Sequence, residues 1–229
     1  MELTAIEQRI LGCLIEKERA TPQNYPLTLN ALRLACNQSS NRDPVVDYDD
    51  AVIDHALSSL REQGFTRIVY STSNRAAKYR HVLEEALHLG DDELAVLAVL
   101  MLRGPQTIGE IKGRTERLFA FADLGQVQQT LDRLASREDG AFVQRLDRRP
   151  GQKDARYIHL LGPLADSSGP SSGSSASSAW SAGYDDDRAV DERAPFSDHG
   201  HDDPRPSPVA AAPRRWRGGG PRRRGRPSP

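Results

Sequence analysis

Tyrosine and histidine recur at the same spacing in two distant stretches of the chain, and both side chains can donate and accept hydrogen bonds. In a β-strand, residues two positions apart lie on the same face, so each pair would form one polar patch. Such a patch could serve recognition, but a pair of this kind more commonly packs against a helix and satisfies its polar atoms locally. The structural role is therefore favoured. The two stretches are AKYRHVL at residues 77–83, with Tyr79 and His81, and ARYIHLL at residues 155–161, with Tyr157 and His159.

The elements that position the first pair are predicted from capping residues and apolar spacing. Thr4 and Glu7 have the spacing of a capping box and predict a helix that ends before Pro22. A second helix is predicted over Thr28–Cys36, and a third begins near Asp47. Two β-prone segments follow, at Phe65–Tyr70 and Ala77–Leu83.

The second block of the chain repeats this order. Asp91 or Asp92 is predicted to cap a helix that runs through Leu102, and Thr107 with Glu110 forms another capping box. Because the order of elements recurs, the chain is interpreted as one module used twice. A third helix of the block carries Val127, Leu131 and Leu134. Two strands complete the block, at Phe142–Leu146 and Ala155–Leu161.

Three helices followed by a two-stranded ribbon is the order of a winged helix-turn-helix unit. The predicted fold is therefore mainly α with small β-hairpins (α+β), built from two tandem winged helix-turn-helix domains and a disordered C-terminal tail. Two unrelated small α+β units are the alternative, which the repeated Tyr-x-His strand disfavours. The predicted domains are residues 1–85, residues 86–163 and the tail, residues 164–229, which is rich in Ser, Gly and Pro.

The run Leu94–Leu102 is apolar around its whole circumference. A helix of this kind must be covered on every side, and one small domain covers only one side. We therefore expect this helix to make a tight contact with the first domain or to form the interface of a homodimer.

The charges of the chain nearly cancel, with 31 Lys and Arg against 32 Asp and Glu, but they are unevenly distributed. The tail has an acidic stretch, Asp185–Asp203, followed by a basic one, Arg205–Arg226. Arg215 and Arg223 could pair with phosphates there, and Trp216 could stack on a base. The alternative is a solubilising tail that its own acidic stretch keeps away from nucleic acid.

Nucleic-acid binding is predicted mainly for the second domain. The third helix of the first domain begins with several carboxylates, from Asp47 to Asp54, which a duplex would repel. The second domain has amide side chains on its third helix and basic residues around the turn of its hairpin, types that bind base edges and phosphates. The candidate residues are Arg75, Lys78, Arg114, Gln128, Gln129, Arg133, Arg148, Arg149, Lys153, Arg215 and Arg223.

The loop from Asn37 to Pro44 is dense in amide and hydroxyl groups. It could bind a ligand, a partner or a backbone phosphate, or it could be a connector whose side chains bond their own backbone. The sequence leaves both interpretations open. The candidate residues of this loop are Asn37, Gln38, Asn41 and Arg42.

Enzymatic chemistry is not predicted. The sequence has no P-loop, no G-x-G-x-x-G, no G-x-S-x-G and no H-E-x-x-H, so no catalytic residue and no cofactor is expected. Cys13 and Cys36 lack metal-ligand spacing, so we expect no metal and two buried, reduced thiols. The start of the chain lacks the pattern of a signal peptide and no apolar run would span a bilayer, which predicts a cytoplasmic protein without membrane contact.

Several long phrases of the sequence resemble the bacterial YceH family. They include LTAIE at Leu3–Glu7, LGCLIEKE at Leu11–Glu18, TPQNYPLTLNAL at Thr21–Leu32 and ACNQSSNRDPV at Ala35–Val45. The second block adds LRGPQT at residues 102–107 and FAFAD at residues 119–123, so the resemblance covers roughly residues 2–161. It implies a tandem winged-helix fold and leaves the biochemical function open.

From these observations we expect a non-enzymatic protein that binds double-stranded DNA, as a transcriptional regulator or a nucleoid-associated factor. The alternative is a protein–protein interaction module, in which tandem winged helices dimerise and bind a partner protein. The basic second hairpin and the tail favour DNA, whereas the acidic third helix of the first domain favours a protein partner.

Overall fold

Two segments of the chain fold into the same succession of helices and strands. The computed structural model describes residues 2–70, 76–148 and 150–163, and the predicted tail lies outside these residues. The first repeat consists of α1 (Ala5–Ala20), a short 3₁₀ helix (Pro22–Asn24), β1 (Leu27–Thr28), α2 (Leu29–Cys36), α3 (Asp50–Glu62), β2 (Thr66–Val69) and β3 (Lys78–His81). After a short helix α4 (Leu83–Leu87), the second repeat consists of α5 (Asp91–Arg103), β4 (Gln106–Thr107), α6 (Ile108–Thr115), α7 (Leu124–Ala135), β5 (Val143–Arg145) and β6 (Arg156–His159).

Each repeat has a three-stranded antiparallel sheet with the same strand order, β1-β3-β2 in the first and β4-β6-β5 in the second. The two Tyr-x-His stretches are the central strands. Tyr79 pairs with Ile68, and Tyr157 pairs with Arg145. The fold is therefore mixed, with seven α-helices and two small sheets among the described residues, which agrees with the predicted α+β class.

Capping side chains set most of the helix starts. Thr4 and Glu7 form the predicted capping box of α1, and Thr107 and Glu110 form that of α6. Thr28 caps α2 through its hydroxyl, so the helix occupies Leu29–Cys36 within the predicted range Thr28–Cys36.

Two predicted helix starts were wrong. The third helix begins at Asp50 rather than near Asp47, because Asp49 caps it by accepting a hydrogen bond from the Val52 N–H at 2.8 Å. Helix α5 has Gly90, not Asp91 or Asp92, at its N-cap. Glu93 accepts a hydrogen bond from the Gly90 N–H at 2.9 Å, which satisfies a donor that the helix leaves unpaired.

The hydrophobic core is continuous through both repeats. Every residue of Leu94–Leu102 is buried, and α5 contacts α1 of the first repeat as well as α6, α7 and β6 of its own. Gly12 lets α1 approach α5 closely, since a Cβ atom there would lie 2.8 Å from Leu102 Cγ. No helix of the described residues is long and apolar enough to cross a membrane.

Candidate functional sites

The third helix of the second repeat, α7, presents some of its predicted nucleic-acid residues to solvent and holds others in contacts. Gln129 is exposed. Gln128 donates from Nε2 to Asp132 Oδ1 at 2.7 Å and accepts from the hydroxyl of Tyr157 at 3.1 Å. The Gln128 amide is therefore engaged on both sides, and Gln129 is the more accessible of the two.

Arg133 of α7 forms ion pairs with carboxylates at the start of α5. Its Nη2 donates to Asp92 Oδ2, and its Nε lies 3.6 Å from Glu93 Oε1. The hydroxyl of Thr130 also donates to Asp92, at 2.6 Å. Asp92 and Glu93 thus link α5 to α7, and the Arg133 guanidinium is partly neutralised.

The hairpin β5–β6 exposes several cations of the second repeat. Arg148 and Lys153 are exposed, and Arg149 lies outside the described residues. Arg145 on β5 is exposed as well, although the sequence analysis did not single it out. Strand alternation did not indicate this exposure, because Arg145 lies two residues after the buried Val143 and would share its face of β5.

The third helix of the first repeat exposes carboxylates in its first turns. Asp50 and Asp54 of α3 are exposed, and Asp50 pairs with Arg33 at 2.8 Å. Lys78 lies half-buried on the central strand β3. Arg114 is half-buried on α6, with its Nη2 3.9 Å from Glu110 Oε1. The remaining candidates, Arg75, Arg215 and Arg223, lie outside the described residues.

Arg42, one of the candidate residues of the loop for which both interpretations were open, is buried and engaged within the chain. Its Nη1 and Nη2 atoms donate to the two carboxylate oxygens of Glu16, at 3.1 and 2.5 Å. Its Nε donates to the carbonyl of Ala35 at 3.0 Å, and Nη2 also donates to the Gln38 side chain at 2.6 Å. A bidentate pair of this geometry fixes the position of the loop on α1 and α2.

Two asparagines hold the ends of the same loop. The Asn37 side chain donates to the carbonyl of Tyr48 at 2.8 Å and accepts from the Tyr48 N–H at 2.9 Å. Asn41, in the left-handed region with a φ of 60°, accepts a hydrogen bond from Arg103 at the end of α5. The N–H of Asp43 donates to the carbonyl of Leu102 at 2.8 Å. The loop therefore connects the first repeat to the second.

Two buried thiols lie beside a buried arginine that the sequence analysis missed. Arg9 donates to the carbonyls of Cys36 and Pro44, at 3.1 and 2.5 Å. The hydrogen bond to Cys13 and the burial of the thiol both raise the pKa of Cys36. Both cysteines are buried and unbridged, in agreement with the sequence analysis.

Glu18, His81 and Glu84 form a cluster whose potential ligand atoms all lie within 4.8 Å of one another. His81 Nε2 lies 2.7 Å from Glu18 Oε2. Burial raises the pKa of the Glu18 carboxyl, but the hydrogen bond and charge of His81, with Arg19 and Arg80, outweigh it and lower that pKa. Because Arg19 and Arg80 also lie 3.8 and 3.9 Å from Glu84, we assign the cluster to an ion-pair network rather than to a metal site.

The equivalent histidine of the second repeat, His159, has a different environment. It is buried, and its Nδ1 has no hydrogen-bond partner among the described residues. Burial lowers the pKa of His159 to about 4. The two repeated histidines are thus structural side chains on central strands, one paired and one neutral near pH 7.

Comparisons with known proteins agree with the resemblance found in the sequence. Residues 3–152 match the family described as "Protein of unknown function, DUF480". A UPF0502 protein of Geobacter metallireducens is 52% identical over 170 residues, which cover 74% of this chain and 77% of the relative. UPF0502 proteins of Dechloromonas aromatica and Opitutus terrae are each 46% identical over 160 residues, covering 70% of this chain and 74% and 70% of the relatives.

These matches extend over both repeats and confirm a bacterial family of the YceH type. The chain belongs to the DUF480 (UPF0502) family.

Proposed function

We propose that the two repeats are tandem winged helix-turn-helix units and that the protein binds double-stranded DNA through the second one. The succession of helices and the antiparallel hairpin after the third helix support this proposal, because winged helices use that helix and that hairpin to contact a duplex. In the second repeat the two elements are α7 and β5–β6.

One observation carries the proposal: exposed cations lie on the hairpin of the second repeat, whereas the third helix of the first repeat exposes carboxylates in its first turns. The second repeat exposes Arg145, Arg148 and Lys153 on its hairpin, whereas the first exposes Asp50 and Asp54 on its third helix. A duplex attracts the first set and repels the second, because phosphate neutralisation dominates the affinity of most DNA-binding proteins.

The expected binding is largely independent of base sequence. Hairpin cations contact phosphates, which position a protein without specifying a sequence. Gln129 is the exposed amide of α7 that could reach a base edge. A regulator or a nucleoid-associated factor is consistent with this combination.

Salt-dependent binding of the full chain to duplex DNA tests the proposal. We expect Arg148→Ala with Lys153→Ala to reduce the slope of log K against log salt by up to about 0.9 for each phosphate that the variant no longer neutralises. The matched control is Arg61→Ala, which removes an exposed arginine from α3 of the first repeat and should leave the slope unchanged.

The same titration separates DNA binding from the alternative, a protein-interaction module. The alternative has support in the first repeat, where Leu34, Val45 and Val52 are 46%, 58% and 36% exposed near an acidic helix start. If the hairpin variant binds like the wild type and a chain ending at Pro163 loses all binding, the tail alone contacts DNA. The folded repeats would then be assigned to protein interaction.

A further inference from the structure

A polar cavity of about 300 Å³ lies where the loop of the first repeat meets the second repeat. Asn41 and Asp43 of the loop contribute to its wall, together with Arg103 at the end of α5 and Gln106 on β4. Because residues of both repeats line it, the cavity exists only when the repeats are joined. It is of the size that small-molecule sites begin to have in proteins.

The wall of this cavity has more cations than carboxylates. Arg103, Arg114 and Arg156 face it, against Asp43 and Glu110. A fourth arginine of the wall, Arg42, is already neutralised by Glu16 and adds no net charge. A guanidinium presents a planar set of donors that matches a phosphate or a carboxylate, so the cavity has the chemistry of an oxyanion site.

The arginines share one carboxylate unequally. Arg156 Nη1 donates to Glu110 Oε2 at 2.9 Å and to the carbonyl of Pro105 at 2.8 Å. Arg114 Nη2 lies 3.9 Å from Glu110 Oε1, beyond hydrogen-bond distance. The Arg114 guanidinium therefore keeps donor capacity for a ligand, whereas Arg156 is held in position by the protein.

A second observation points to a ligand that is more than a bare anion. Gln106 is only 3% exposed, and its Nε2 donates to the carbonyl of Arg103 at 2.9 Å. Its Oε1 is buried with no hydrogen-bond partner among the described residues. A buried acceptor is unfavourable without a donor, so a hydroxyl or amino group on the ligand would satisfy it.

We propose that this cavity binds a small metabolite with a phosphate or carboxylate group and an adjacent hydroxyl or amino donor. Arg114 and Arg103 bind the anion, with Arg156 fixed beside them, and Gln106 Oε1 accepts the donor. These four ligand contacts belong to the second repeat, and Asn41 and Asp43 of the first repeat complete the wall. This site is separate from the proposed DNA-binding hairpin.

Calorimetric titration of the full chain tests the site with two probes, inorganic phosphate and glycerol 3-phosphate, at constant ionic strength. We expect glycerol 3-phosphate to bind about tenfold more tightly, because it alone brings a hydroxyl to Gln106. Arg114→Gln should weaken both probes by about tenfold or more. Gln106→Leu should remove only the advantage of glycerol 3-phosphate.

The matched control is Lys112→Gln, on the same helix but outside the cavity wall. It should bind both probes like the wild type. The proposal is overturned if neither probe binds at millimolar concentration, or if Lys112→Gln weakens binding as much as Arg114→Gln. Circular dichroism of each variant checks the fold, and the Arg148→Ala, Lys153→Ala variant should retain full binding of both probes.

Discussion

The two repeats share their element order and strand order but differ in the chemistry of their interiors. When the residues that end α1 and α5, Thr21 and Gly104, are matched, Glu16 and Glu18 of α1 correspond to Val99 and Met101 of α5. The first helix therefore has two carboxylates where the second has apolar side chains.

The partners of these positions differ accordingly. Glu16 pairs with the buried Arg42, and Glu18 pairs with His81. In the second repeat His159 has no such partner among the described residues and is neutral near pH 7. The same topology thus forms around buried ion pairs in one repeat and around apolar side chains in the other, which is consistent with buried pairs not being required for a fold.

The largest effect is expected where one member of a buried pair is removed. Arg42→Met leaves the Glu16 carboxylate without its bidentate partner, and we expect the free energy of unfolding to fall by about 3–5 kcal/mol. Urea unfolding measures the decrease. This substitution tests whether Glu16 and Arg42 stabilise the first repeat only when both are present.

The double variant Arg42→Met, Glu16→Val is the control for that prediction, since it gives α1 the apolar residue that α5 has at Val99. We expect it to recover a large part of the stability. A double variant as unstable as Arg42→Met alone would show that the hydrogen bonds to Ala35 and Gln38, not the ion pair, carry the effect.

A smaller, pH-dependent effect is expected in the second repeat. The pKa of His159 is about 4 when folded, below its value of about 6.5 when unfolded. The unfolded chain therefore takes up the proton first, and stability is full above pH 6.5 and decreases as the pH falls towards 4. The decrease attributable to His159 is about 3 kcal/mol.

His159→Leu should flatten the stability profile between pH 6.5 and 4, as measured by urea unfolding at each pH. His55→Gln is the control, because His55 is exposed on α3. If the two variants keep the same pH dependence as the wild type, His159 is hydrated rather than buried, and the contrast with His81 disappears.

The smallest effect concerns the contact between α1 and α5. Gly12 corresponds to Ala95 of α5, yet a Cβ at Gly12 would lie 2.8 and 2.9 Å from two atoms of Leu102. Gly12→Ala should lower the free energy of unfolding by up to about 2 kcal/mol, because an overpacking penalty of about 1–3 kcal/mol offsets or outweighs the gain of about 1 kcal/mol in helix propensity.

Gly113→Ala in α6 should have the opposite effect to Gly12→Ala, since nothing lies within 4 Å of a Cβ at Gly113. We expect that variant to gain up to about 1 kcal/mol, again by urea unfolding. Two variants that both gain stability would mean that the interface between the repeats adjusts readily to an added methyl group.

Local patterns predicted the elements that depend on neighbouring residues. The capping boxes of Thr4 and Thr107 and the apolar spacing of Val127, Leu131 and Leu134 lie within a few positions of one another, so the sequence alone determined them. The strands β1 and β4 were missed, because two residues are too few to produce an alternating pattern.

The candidate sites were less predictable. The exposure of Gln129, Arg148 and Lys153 follows from helix and hairpin position, whereas the contacts of Arg42 and Arg133 join residues 26 and 41 positions apart. Periodicity predicts the face of a helix or strand on which a side chain lies, but it does not predict which residues of a distant segment contact that side chain.

By itself, the sequence determined the duplicated order of elements and the need to cover Leu94–Leu102, because both follow from local spacing and from the burial of apolar surface. Only the tertiary structure decided which polar side chains remain available. It buried Arg42 against Glu16, left His159 without a partner among the described residues and placed Arg114 and Gln106 in the wall of one cavity. Such contacts depend on how distant segments pack together, which no local pattern encodes.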